Sequence, residues 1–115
     1  MIDAAQQLLE NFPKSALLHN MMGTASLALR QYDLARKSYE TSIALDPDYV
    51  LANVNLGVTL SRVGHFNEAI THYQAGLKID PKDINSMIYI GNALQSKKGV
   101  YDAAIESYSK AIALA

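Results

Sequence analysis

Three histidines, His19, His65 and His72, are the side chains best suited to moving protons or ligating a metal near neutral pH. No two stand four residues apart on one helical face, and no His-Glu-x-x-His run occurs, so no metal site is predicted. The chain has no cysteine, which removes disulfides, thiolate ligands and cysteine nucleophiles together. No serine sits in a Gly-x-Ser-x-Gly elbow, and neither a Walker A loop nor a Gly-x-Gly-x-x-Gly turn is present. Asp46 and Asp80 each precede a proline and read as helix-end residues, not as an acid–base pair. Of seven tyrosines, Tyr32, Tyr39, Tyr73, Tyr101 and Tyr108 recur at structural positions and Tyr49 lies at a junction, which leaves Tyr89 for a surface role. Lys97-Lys98, beside Gly99, reads as a solvated turn. No catalysis, cofactor or metal is expected.

Composition narrows the partners. In 115 residues, 50% are hydrophobic and 18% charged, with a formal net charge of -1. That is enough chain for one domain, with no field of one sign to draw in nucleic acid or an anionic membrane. No apolar window approaches the roughly 18 residues of a membrane span, and the amino-terminal residues do not follow a signal-peptide pattern. The expectation is a cytoplasmic protein that binds neither nucleic acid nor membrane.

The elements that must position any site come from a repeat. Gly23, Gly57 and Gly91 are 34 residues apart, as are Pro13, Pro47 and Pro81, the only prolines. Ala35 and Ala69, Tyr39 and Tyr73, and Tyr32 and Phe66 keep the same interval. In the third unit Ala104 and Tyr108 follow Ala69 and Tyr73 by 35 residues, because "QSKKGVY" is one residue longer than "SRVGHF".

Each unit reads as two helices with apolar residues at three- and four-residue spacing. Asp33, Asn67 and Asp102 are placed to open the second helices as N-caps, and Pro47 and Pro81 to stop them. Glycine and alanine allow close helix crossing, with Tyr73 filling the space between adjacent pairs. His19 is expected between helices, His65 in the tight turn and His72 on the outer face. The units are residues 14–47, 48–81 and 82–115, preceded by residues 1–13 as the second helix of an incomplete unit. Stacked pairs bury one continuous core. A lone helix at the start and no polar cap at the end predict a fragment of a longer protein, or an array whose ends meet other copies as a homo-oligomer.

This spacing resembles the tetratricopeptide repeat, W-x2-L-G-x2-Y, then A-x3-F, then P. The second unit reads Asn53, Leu56, Gly57, Leu60, Ala69, Tyr73 and Pro81 at those places. The first has His19, Met22, Gly23, Ser26, Ala35, Tyr39 and Pro47, and the third Met87, Ile90, Gly91, Leu94, Ala104 and Tyr108. The tryptophan is absent from all three. The resemblance implies an all-α solenoid of antiparallel helix pairs in a right-handed superhelix. It also implies a non-enzymatic scaffold that holds a peptide or partner protein in a concave groove. Groove positions carried over from the family are Asn20, Thr24, Leu51, Asn55, Val58, Arg62, Asn85, Tyr89 and Asn92, with Leu17, Leu27, Ser61, Ile88 and Gln95 beside them. Asn20, Asn55, Tyr89 and Asn92 are the expected direct contacts, with Arg62 available to an acidic group.

Members that clamp the acidic tails of chaperones use lysines, an arginine and asparagines. Here those places hold Asn20, Thr24, Asn55, Asn85 and Tyr89, so the charge-assisted bonds to a terminal carboxylate are missing. The sequence is also similar to the repeat region of O-GlcNAc transferases, where asparagine recurs two residues before the glycine. Asn55 keeps it, whereas Met21 and Tyr89 do not. An accessory domain of a larger transferase is therefore the alternative expectation.

Overall fold

A computed structural model describes residues 2–114, with the side chains of residues 2, 3, 5, 104, 111 and 114 excepted. Six helices and no strand occur among the described residues: α1 (Ile2–Asn11), α2 (Ala16–Ala28), α3 (Tyr32–Leu45), α4 (Val50–Arg62), α5 (Phe66–Ile79) and α6 (Ile84–Leu114). Helices α2 and α3 form one antiparallel pair and α4 and α5 the next, and α1 packs on α2. The Cα radius of gyration is 17.2 Å, against roughly 13 Å for a compact chain of this length. Stacking in one direction gives the elongation.

The repeat residues explain the close pairing. A Cβ built on Gly23 would lie 2.6 Å from the Tyr39 ring, and one on Gly57 would lie 2.7 Å from Tyr73 Cδ1. In these two units the ring therefore fills the notch of its own glycine. Ala35 and Ala69 are fully buried beside these rings. Tyr73 also meets the next unit, stacking on Tyr89 at a centroid distance of 5.4 Å. The core is continuous from Ala35 and Tyr39 through Val54, Leu56 and Leu60 to Ala69, Tyr73 and Ala93. Helix α4 lies at its centre and is buried over most of its circumference, leaving one side from Leu51 through Asn55 and Val58 to Arg62 partly open.

The turns repeat as well. Arg30 has φ 60° and Gly64 φ 86°, so the same left-handed residue reverses the chain in both complete pairs. The caps differ from expectation. Gln31 and His65 precede α3 and α5 without a side-chain cap bond, while Asp33 and Asn67 lie inside the first turn. Asn67 instead accepts from Lys97 Nζ at 2.7 Å. The side-chain cap with a bond is Ser15, which accepts from the Leu18 amide at 3.2 Å. At the other ends α3 stops at Leu45 and α5 at Ile79, just ahead of Pro47 and Pro81 as expected.

The third unit departs from the predicted helix pair. Residues 95–101, expected to be a turn, continue the helix, and α6 runs 31 residues without a break. Gly99 takes no positive φ, and with no proline nearby the segment has nothing to stop a helix. Asp102 is consequently an interior residue, not a cap. The side chain of Ala104 lies outside the described residues.

Candidate partner-binding groove

The face made by α2, α4 and the first half of α6 carries the residues predicted for the groove. Leu51, Arg62, Asn85 and Asn92 are exposed, and Asn55, Val58 and Tyr89 are half-buried. Val58, Arg62, Tyr89 and Asn92 meet around a cleft of about 180 Å³, together with Ser61, Phe66 and Ser96. Leu51, Asn55, Asn85 and Tyr89 meet around a second cleft of about 200 Å³, closed by Val50, Val54 and Asp83. Tyr89 lines both. Its ring is held flat against Tyr73, which fixes the wall between the two clefts.

Two predicted residues serve the scaffold. Asn20 is buried, and its Oδ1 accepts from Asn55 Nδ2 at 3.2 Å, tying α2 to α4. Asn20, expected as a direct contact, is here 4% exposed and its side-chain oxygen is engaged within the chain. Thr24 Oγ1 donates to the Asn20 carbonyl and bonds Tyr39 Oη, each at 3.0 Å. The two still line a third, mainly apolar cleft of about 360 Å³ between α1 and α2, with Ala4, Leu8, Leu18, Met21 and Ala25. Sequence reasoning placed no site there. Its signal was available in the apolar Leu8 and Met21, which remain about half exposed.

The titratable groups are ordinary surface and core groups. His19 Nε2 donates to the Pro13 carbonyl at 2.9 Å, closing the entry to α2. Asn53 repeats this device one unit later, donating to the Tyr49 and Pro47 carbonyls at 3.1 and 3.4 Å. His65 lies in the turn before α5, its Nδ1 3.6 Å from Glu68. His72 is half-buried, and burial holds its pKa below the usual 6.5, against the opposing pull of Glu40 and Glu68. Burial likewise raises the Tyr39 and Tyr73 hydroxyls above 10.0. Among the described residues no three acidic or histidine side chains gather as a metal would require. No described helix is long and apolar enough to cross a membrane.

The tetratricopeptide repeat family matches residues 20–84 of the chain. An uncharacterized ycf37 protein of Cyanophora paradoxa is 37% identical over 76 residues, covering 64% of this chain and 44% of that protein. The crystal structure of MamA superposes with a TM-score of 0.80 at 26% identity, covering 96% of this chain and 64% of MamA. The first tetratricopeptide domain of Spaghetti (RPAP3), solved bound to the HSP90 peptide SRMEEVD, has the same fold. Its TM-score is 0.80 at 19% identity, over 83% of this chain and 75% of that one. The chain spans less than half the length of the curated relatives it matches.

Proposed function

This chain belongs to the tetratricopeptide repeat family, and from that premise we propose that it is a protein-interaction scaffold. It holds an extended segment of a partner polypeptide along α2, α4 and the first half of α6. The observation that carries the reading is Tyr89, a rigid aromatic wall with a small cleft on either side. From Leu51 to Arg62 the face is roughly 16 Å long at 1.5 Å per helical residue, room for about five extended residues. Each cleft suits one aliphatic or small aromatic side chain. Asn55, Asn85 and Asn92 both donate and accept, and so match a peptide backbone. Arg62 sits at one end and Asp83 at the other, which orients a peptide whose acidic residue lies toward Arg62. The peptide complex of the RPAP3 domain is a precedent for this fold, although the cationic clamp residues are absent here. The scaffold itself performs no reaction.

The test is to pan a displayed library of random dodecapeptides against the intact chain, then remeasure binders with Arg62→Glu and Asn92→Ala. Both positions are exposed, so the fold is retained. Affinity lower by at least tenfold in both variants is expected, with an acidic residue enriched at one fixed position. Binders indifferent to both but displaced by Leu8→Asp would move recognition to the α1–α2 cleft and overturn the reading.

A further inference from the structure

In the first two units the glycine notch is filled from within. Tyr39 and Tyr73 are 0% and 2% exposed, and the first-helix residues Ser26 and Leu60 are 0% and 1%. The third unit has the same parts and leaves them apart. Tyr108 is 71% exposed and Leu94 51%, and a Cβ on Gly91 would meet nothing within 4 Å. The straight course of α6 carries its second half away from its first, so this chain cannot fill its own notch. The chain exposes 7536 Å², against roughly 6,200 Å² for a compact monomer of its mass.

The exposed residues form one seam. Met87, Leu94, Tyr101 and Tyr108 recur every seven residues, and Gly91, Lys98, Ile105 and Ile112 do the same, each four residues after its counterpart. That is a heptad pattern over almost the whole of α6. It exists only because "QSKKGVY" carries an extra residue. Without it, Tyr101 and Ile105 would fall one position out of phase with Leu94. A turn gains nothing from such phasing, whereas a continuous helix needs it.

We infer that α6 pairs antiparallel with α6 of a second copy of this chain, in a reciprocal exchange of residues 101–114. Within a unit, Gly57 faces Tyr73 and Gly23 faces Tyr39. The same relation places Gly91 opposite Tyr108 of the other copy, Leu94 opposite Ile105, and Met87 opposite Ile112. Each of these pairs is centred between Gly99 and Val100, so one two-fold axis there satisfies both chains at once and the contact closes as a dimer. Lys98 faces Tyr101 of the other copy across that axis. Gly99 corresponds to Gly64, whose φ is 86°, and glycine takes that turn without the steric cost a side chain such as that of Arg30 carries, while also entering the helix seen here. It is the hinge of the exchange. The root of the arm is held outward, with Lys97 bonded to Asn67 at 2.7 Å and 5.9 Å from the Tyr101 ring centroid.

Sedimentation equilibrium of the 115-residue chain, with two seam variants, tests the arrangement. Leu94→Lys and Ile105→Glu lie at exposed positions, so each variant alone should keep its helicity but dimerise about a hundredfold more weakly or worse. Mixed in equal amounts, the two variants place opposite charges across one seam position and restore the unsubstituted pair at the other. The mixture should therefore recover dimer to within about tenfold. Gly99→Ala, which favours the helix and disfavours the turn, should raise the dimer population by roughly tenfold per chain. A monomer at every concentration would overturn the inference. So would a dimer indifferent to both seam variants, or single variants that do not complement on mixing.

Discussion

Gly57 is occupied space. The Tyr73 ring lies where a side chain would start, and that ring is buried between its own pair and Tyr89. Gly57→Ala must push a rigid, packed ring, so the expected loss is about 2 kcal/mol in denaturant unfolding despite the better helix propensity of alanine. Ser42 shows the reverse economy. Fully buried, it donates to the Ala16 carbonyl at 2.7 Å and ties α3 to the start of α2. Gly76 holds the same place one unit later, where a Cβ would come within 3.1 Å of Val54 Cγ2. Ser42→Ala should cost about 1 kcal/mol by the same measurement. Folding changes how readily His72 takes up a proton. Its native pKa lies below 6.5 because burial disfavours the cation. The unfolded state then binds the proton first as pH falls, so the contribution of the neutral ring is complete above 6.5 and is lost on the acid side, toward the lowered native value. His72→Gln should flatten that part of the stability–pH profile. An unchanged slope between pH 7 and 5 would show that other groups control it.

At the scale of elements the two complete turns make a matched experiment. Arg30 adopts φ 60° where the next unit has Gly64 at 86°. A left-handed conformation costs a non-glycine residue about 1–2 kcal/mol, part of which is offset because arginine has less freedom to lose from the unfolded chain. Arg30→Gly should therefore raise stability by about 0.5 kcal/mol and Gly64→Ala lower it by about 1 kcal/mol, both read from midpoints at constant m-value. The turns also show what sequence could tell. Helices α2 to α5 were legible because prolines, glycines and apolar spacing act within a few residues of where they stand. The course of residues 95–101 was not, because Gly99 is compatible with turn and helix alike and the choice depends on which surface covers Tyr108. The groove follows the same division. Exposure of Arg62 and Asn92 follows from helical periodicity. The diversion of Asn20 into a bond with Asn55 depends on side chains 35 residues apart, which no local pattern reveals.

At the scale of the molecule, stability is distributed by neighbours. In a stacked array each unit is held by the units beside it, so protection from exchange should follow how completely an element is surrounded. Helix α4, enclosed by α2, α3, α5 and α6, should hold the slowest amides. Helix α1, packed on α2, should exchange faster. The second half of α6 is the informative case. Ile105, Tyr108 and Ile112 are 62%, 71% and 76% exposed in the single chain, so among the described residues these apolar side chains gain little protection from it. A helix with one apolar stripe and no partner surface is marginal in water at this length. If a second copy supplies the surface, its protection becomes a function of concentration, whereas that of α4 does not, because mass action stabilises what association buries. Hydrogen exchange followed by mass spectrometry across a hundredfold dilution should then show residues 101–114 losing protection while residues 50–62 keep theirs. Equal behaviour of the two segments would mean that the arm draws its order from within the chain.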